Sequence, residues 1–133
     1  MNEHMVDPLE QRRLHQHADW RRVAWHLAGY VRLRDLDLFR QVFPAAPSGV
    51  LVEIGAGEGS NLILLDQLYP AAGLRVASDY FPAKCRLARQ LAPQRAVVCA
   101  EATRLPFRDG SAGVLLMRNL LHHVPDPAAA IDE

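Results

Sequence analysis

The chain has 133 residues, and its fifteen Lys and Arg residues balance fifteen Asp and Glu residues, so the formal net charge is zero. This balance disfavours a nucleic-acid-binding protein, and no apolar run is long enough to span a membrane. Half of the residues are hydrophobic, which suits one domain built on one core. The charged, His-rich N-terminus lacks the apolar core of a signal peptide, so we predict a cytoplasmic location.

The first 46 residues are predicted to form helices that cover, or pack against, the part of the chain that follows. Asp7-Pro8 has the form of a helix start, with Pro at the first helical position. Apolar residues then recur at helical spacing, beginning at Trp20. We expect Trp20, Trp25 and Tyr30 either to line a substrate pocket beneath this segment or to pack into the core.

The spacing of the histidines and cysteines predicts no metal site. On a helix, His15 and His17 would point in different directions because they lie two positions apart. Cys85 and Cys99 belong to no CxxC or Cys/His pattern of the kind that binds zinc. We therefore expect two reduced thiols and no metal.

Beyond a Pro- and Gly-rich breaker at 44–49, short apolar runs alternate with helical patterns, and residues 47–133 are the predicted second domain. Strands are predicted at 50–54, 74–78, 96–99 and 114–117. Helices are predicted at 60–69 and 82–91, and a further helix begins after its N-cap at Asp126. The alternation predicts an α/β fold, a Rossmann-like parallel sheet with helices on both faces.

The stretch VLVEIGAGEGSNL (50–62) places glycines where the first strand gives way to a helix. Glycine lets a ligand approach the backbone, and the helix N-terminus offers unpaired N–H groups. Asp79 ends the next strand about twenty residues later, where a carboxylate can accept hydrogen bonds from ribose hydroxyls. These features alone fit a dinucleotide, S-adenosylmethionine or a purely structural turn.

Two residues of this stretch favour S-adenosylmethionine over a dinucleotide. Ser60 stands where a dinucleotide fingerprint has its third Gly or Ala. Glu53 precedes the first glycine, and its carboxylate would repel a pyrophosphate but suits a ligand that carries an ammonium and a sulfonium.

Four segments in order, within residues 50–127, resemble class I S-adenosylmethionine-dependent methyltransferases. VLVEIGAGEG resembles motif I, and VASDYFPAKCRLAR resembles the second strand with its ribose-binding acid. AEATRLPFRDGSAG and LLMRNLLHHVPDP resemble the segments around the third and fourth strands. The likeness is greatest to small-molecule enzymes of the methyltransferase type 11 and ubiquinone/menaquinone groups.

The resemblance implies a binding site for the methionine part of S-adenosylmethionine. Glu53 would help to hold the ammonium, and the backbone of Gly55, Ala56 and Gly57 would meet the amino-acid moiety. Arg118 and Asn119, at the end of the fourth strand, would lie near the methionine and the transferring methyl.

The resemblance also implies a site for the adenosine part. Asp79 would bind the ribose hydroxyls, and Tyr80 or Phe81 would pack beside the adenine. Glu101 would receive the adenine amino group, and Ala102 would give a backbone contact to the ring.

Catalytic residues are less clearly indicated, because only some methyl acceptors need a general base. His122 and His123 are candidates, although adjacent histidines on an irregular segment also pack and cap. Arg118 is a third candidate, either for binding an acidic acceptor or for a structural or solvent-exposed role.

The sequence departs from the family in two respects. Ala112-Gly113 stands where the family usually has Phe-Asp before the fourth strand. The predicted sheet is truncated to about four strands in the order 3-2-1-4, so the half that carries much of the acceptor pocket is missing. We therefore expect a second polypeptide to complete the domain, or a homodimer to form through the edge of the fourth strand.

The predicted function is the cofactor-binding half of a methyltransferase that acts on a small-molecule acceptor. The alternatives are a non-catalytic S-adenosylmethionine-binding or regulatory subunit, and an inactive truncated methyltransferase.

Overall fold

The computed structural model describes residues 16–70 and 73–133. The predicted helix start at Asp7-Pro8, and His15, lie outside these residues. Two helices come first: α1 (Trp20–His26) and α2 (Gly29–Val42). The side chain of Asp19 caps α1 by accepting a hydrogen bond from the backbone N–H of Arg21, at 2.9 Å.

The rest of the described chain alternates strands and helices, as predicted. The strands are β1 (Leu51–Ile54), β2 (Arg75–Asp79), β3 (Ala96–Cys99) and β4 (Val114–Met117). The helices are α3 (Ser60–Leu68), α4 (Pro82–Leu91) and α5 (Pro127–Asp132), with a 3-10 turn at Leu121–His123. All pairings are parallel, and the order β3-β2-β1-β4 confirms the predicted α/β fold and strand order.

Strand β1 is a fully buried inner strand of the sheet, and the alternation of its side chains determines on which face of the sheet Glu53 lies. Val52 and Ile54 belong to the apolar cluster on the α5 side of the sheet. Leu51 belongs to the opposite cluster, which α2 and α3 complete. Successive strand residues face opposite sides, so Glu53 shares the α2 and α3 side with Leu51.

Within the N-terminal segment, one face of α2 packs over α3 and the sheet. Leu36 and Phe39 of α2 are buried in the cluster that contains Leu62 and Leu65 of α3. A boundary between residues 46 and 47 stays a prediction. None of the helices within 16–70 and 73–133 is long and apolar enough to cross a membrane.

Three aromatic residues of the N-terminal segment occupy neither of their predicted places. Trp20, Trp25 and Tyr30 are 65%, 66% and 76% exposed, so neither the pocket nor the core contains them. The two tryptophans belong to α1, which within its seven residues buries Val23 alone, and Tyr30 lies off the buried face of α2. The spacing of the apolar residues therefore does not by itself identify which face of each helix is buried.

Gly113 explains one departure from the family pattern, because the chain passes very close to it. A Cβ at this position would lie 2.6 Å from the backbone oxygen of Ser48 and 3.5 Å from Cα of Gly49. A backbone atom cannot move aside as cheaply as the end of a side chain. The sequence therefore needs glycine at the position where the family usually has Asp.

We expect Gly113→Asp, which restores the family residue, to destabilise the protein by about 1–3 kcal/mol, the usual cost of overpacking. Ser111→Asp, at an exposed position nearby, is the matched control and should unfold like the wild type. Urea denaturation of the three proteins measures the difference. Equal urea midpoints for Gly113→Asp and Ser111→Asp would show that the backbone at Ser48 moves aside with no loss of stability.

Candidate functional site

A cavity of about 240 Å³ lies at the carboxyl ends of the strands. The order of the strands switches there, because β2 and β3 extend the sheet on one side of β1 while β4 lies on its other side. Such a switch point is where open parallel sheets bind ligands. The predicted site residues that line this cavity are Gly55, Ala56, Gly57, Asp79, Tyr80, Glu101, Ala102, Arg118, Asn119 and His123.

Two glycines of the loop after β1 are needed for different reasons. Gly57 has φ +57° and, among the described residues, a Cβ there would meet nothing within 4 Å, so this side of the loop is open. Gly55 has φ +72°, and a Cβ there would lie 2.5 Å from Cδ1 of Leu120. Gly57 therefore leaves room beside the backbone, whereas Gly55 allows the segment after β4 to pack closely.

Asp79 joins the end of β2 to this loop. Its Oδ2 accepts a hydrogen bond from the Gly57 N–H at 2.8 Å, and its Oδ1 accepts one from the Phe81 N–H at 2.9 Å. Each carboxylate oxygen can accept a second hydrogen bond, so the side chain keeps capacity for a ligand that enters the cavity.

Glu53 is fully buried, and among the described residues only one of its two carboxyl oxygens has a hydrogen-bond partner. Its Oε1 accepts a 2.6 Å hydrogen bond from Nδ2 of Asn61, which lines the cavity. Within the described part of the chain, its Oε2 is buried and has no hydrogen-bond partner. Burial raises the pKa of Glu53 to about 8, against the opposing effect of the Asn61 hydrogen bond.

Arg118 is held by α2 and is not directed to solvent. Its Nη2 donates to Oδ1 of Asp35 at 3.0 Å, and its guanidinium lies 5.5 Å from the ring centroid of Phe39. Asp35 is fully buried and also accepts hydrogen bonds from Arg34. Burial alone would raise the pKa of Asp35, but the hydrogen bonds from Arg118 and Arg34 hold it below its ordinary value.

The residues predicted for adenine line the same cavity. Tyr80 is half exposed and packs edge-on against Phe81, with ring centroids 5.1 Å apart. Glu101 and Ala102 follow β3, whose carboxyl end lies beside that of β2. The parallel sheet therefore brings these residues together with Asp79, as the sequence predicted.

The remaining candidates differ in their access to the cavity. His122 and His123 share the 3-10 turn with ring centroids 3.8 Å apart, but His123 lines the cavity and His122 does not. Asn119 has φ +55°, a left-handed conformation that is uncommon outside glycine and recurs at functional sites.

Sequence reasoning missed several charged or polar residues of the cavity, among them Arg22 and His26 of α1, Glu58 before α3, Asn61 of α3 and Lys84 of α4. A signal existed for Lys84, because it shares the buried face of α4 with Ala88, where a charged residue is out of place. Burial lowers the pKa of Lys84. No comparable signal marked Arg22 or His26, since their place depends on how α1 packs.

The sequence is similar to a known protein family. The sequence profile described as "Methyltransferase domain" matches residues 52–133. None of the curated proteins compared with this chain matches it.

Solved methyltransferase structures share the fold at low sequence identity. A SAM-dependent methyltransferase from Aquifex aeolicus superposes with a TM-score of 0.64 at 18% identity, over 96% of this chain and 65% of that one. The plantazolicin methyltransferase BpumL, in complex with SAH, gives 0.63 at 14% identity, over 96% and 48%. Geranyl diphosphate C-methyltransferase from Streptomyces coelicolor A3(2) gives 0.56 at 14% identity, over 73% and 38%.

The chain therefore spans less than two thirds of the length of these solved relatives. Identities of this size establish the shared fold, and the sequence profile, which spans more than half of the chain, establishes the family. The chain belongs to the methyltransferase domain family, in its class I, Rossmann-like form, whose cofactor is S-adenosylmethionine.

Proposed function

We propose that this chain binds S-adenosylmethionine at the carboxyl edge of its sheet and takes part in methyl transfer to a small-molecule acceptor. The observation that carries the proposal is the unpartnered, buried Oε2 of Glu53 beside a loop whose Gly57 leaves open space. A buried acid without a partner is costly in a folded protein, and a ligand ammonium would satisfy it.

The other groups of the cavity fit the rest of the cofactor. Asp79 keeps hydrogen-bonding capacity for the ribose hydroxyls, and Tyr80 offers a ring face beside the adenine pocket that Glu101 and Ala102 line. Bound S-adenosylmethionine supplies a methyl group on a sulfonium. The chain's own task is then to orient the donor and the acceptor and to exclude water.

A small acceptor is the substrate class that the cavity and the relatives support. The cavity is of ligand size, and Arg22 and His26 of α1 line it together with His123. Geranyl diphosphate C-methyltransferase, a relative in fold, acts on a small molecule. We propose that His123, which lines the cavity, meets the acceptor, since Arg118 and His26 both lie against Asp35.

Isothermal calorimetry with three ligands tests the cofactor. We expect S-adenosylmethionine and S-adenosylhomocysteine to bind, and NAD to bind much more weakly, because NAD has no ammonium group for Oε2 of Glu53 to accept from. Tighter binding of NAD would contradict the proposal. Methyl transfer by the pure chain to a panel of small acceptors then separates an enzyme from a cofactor-binding subunit.

We also propose that the chain associates with another polypeptide through β4. This strand pairs with β1 on one side, and its Leu115 is 54% exposed. An unpaired strand edge next to apolar surface favours pairing with another chain. The partner would be a chain that supplies the remaining strands of the domain, or a second copy of this one.

We expect light scattering on the purified 133-residue chain to give a mass above the 14.8 kDa of the monomer. Leu115→Lys should move the mass towards the monomer, because it removes apolar surface at β4. Leu33→Lys, at a leucine of α2 that is 61% exposed, is the matched control and should not. A well-folded wild-type monomer at micromolar concentration would refute the association.

A further inference from the structure

Arg118 connects α2 to the first turn of α3. Its Nη2 donates to Oδ1 of Asp35 and its Nη1 donates to Oδ1 of Asn61, each at 3.0 Å. Its guanidinium also packs over the ring of Phe39. Asp35 and Phe39 lie four residues apart on α2 and therefore on one face of that helix. Three contacts thus hold the guanidinium in one place.

The position of Arg118 determines the orientation of the Asn61 amide. An arginine side chain has only hydrogen-bond donors, so the amide oxygen of Asn61 must face it. The amide nitrogen then points away from Arg118 and donates to Oε1 of Glu53 at 2.6 Å. The flipped amide would place two donors against each other and is excluded while Arg118 is present.

The orientation of Asn61 in turn determines what Glu53 can do. The Asn61 donor on Oε1 favours the ionised form of Glu53 against the effect of burial, and the buried Oε2, which has no partner among the described residues, is the oxygen left for a ligand. If Asn61 were free to flip, its oxygen would instead accept a hydrogen bond from the protonated acid, which burial favours. Glu53 would then be a neutral group already satisfied by Asn61.

We propose that Arg118 is a positioning residue for the amino-acid part of the cofactor: through Asn61 it holds Glu53 ready to accept the ligand ammonium, and through Asp35 it ties this subsite to α2. The inference rests on the proposed binding of S-adenosylmethionine. It gives Arg118 a role that is neither catalysis nor binding of an acidic acceptor, and it makes α2 part of the cofactor site.

A ligand series separates this role from a direct contact. S-adenosylmethionine carries both the ammonium and the carboxylate, its decarboxylated analogue keeps the amine alone, and 5′-methylthioadenosine lacks both. We expect Arg118→Gln to weaken the first two ligands by about tenfold, the worth of one good hydrogen bond, and to leave the third unchanged. Asn61→Ala should give the same pattern while it spares the ion pair of Arg118 with Asp35.

Two control variants show what no effect and a general loss of affinity look like. Arg34→Gln removes the other arginine that donates to Asp35 but has no hydrogen bond with Asn61, so all three affinities should stay at the wild-type level. Asp79→Ala should weaken all three ligands, because each contains the ribose.

Each other outcome overturns the inference in its own way. Loss confined to S-adenosylmethionine would mean that Arg118 contacts the carboxylate directly. Equal loss of all three ligands by Arg118→Gln would mean general structural damage, and no loss would mean that Arg118 is not needed. If the wild type binds none of the ligands, the proposed function itself fails, which is a separate result.

Discussion

Replacing Glu53 by Gln should weaken the binding of S-adenosylmethionine by about 1.5–3 kcal/mol, the usual worth of a hydrogen bond to a charged group. Gln has the size of Glu but cannot carry the negative charge that attracts an ammonium. The amide would also present a donor where the ligand needs an acceptor. Calorimetric titration of the two proteins measures the difference, and an unchanged affinity would remove Glu53 from the site.

The same substitution should stabilise the ligand-free protein at alkaline pH. Folding raises the pKa of Glu53 from 4.5 to about 8, so the folded state binds the proton more tightly than the unfolded state. The contribution of this group to stability is therefore complete below about pH 4.5 and declines as the pH rises towards 8. The slope of this decline is at most about 1.4 kcal/mol per pH unit.

Urea denaturation at about pH 5 and about pH 9 tests this linkage. The stability of Glu53→Gln relative to the wild type should rise between the two pH values, because only the wild type has a buried acid to ionise. Asp37→Asn, at an exposed carboxylate of α2, is the control and should keep the wild-type slope. A parallel pH dependence for Glu53→Gln and the wild type would contradict the burial of an unpartnered acid.

Replacing Gly57 by Val should abolish measurable binding of S-adenosylmethionine. The valine methyl groups would occupy the open space beside the loop, since a Cβ there meets no described residue within 4 Å. The residue would also be held at φ +57°, which is strained for a β-branched side chain at a cost of about 1–3 kcal/mol.

Gly110→Val separates the two effects of that substitution. Gly110 has φ +72° and similarly open space, but it does not line the cavity. Both variants should therefore lose comparable stability in urea, whereas only Gly57→Val should lose the ligand. Wild-type affinity in Gly57→Val would show that the cofactor does not use this side of the loop.

The strands and helices of the sheet could be predicted because their signals are local. The apolar runs of β3 and β4 and the helix α4 have the predicted bounds, since Pro93 precedes β3, Gly113 precedes β4 and Pro82 begins α4. The convergence of Asp79 and Glu101 on one cavity then follows from parallel pairing, which places strand ends at the same edge.

The N-terminal segment and the environment of Arg118 could not be predicted in the same way. Arg118 and Asp35 are 83 positions apart, and nothing in the local pattern pairs them. The place of Trp25 depends on which face of the short α1 packs, and helical periodicity alone did not determine it. Long-range packing is therefore what places Arg118 against Asp35.

A crystal structure of the chain with S-adenosylhomocysteine tests the central claim most directly. We predict that the ligand lies across the carboxyl ends of β1 and β2, with its ammonium at Glu53, its ribose hydroxyls at Asp79 and its adenine beside Tyr80. A ligand bound in the opposite direction, or away from the loop that contains Gly57, would contradict the account.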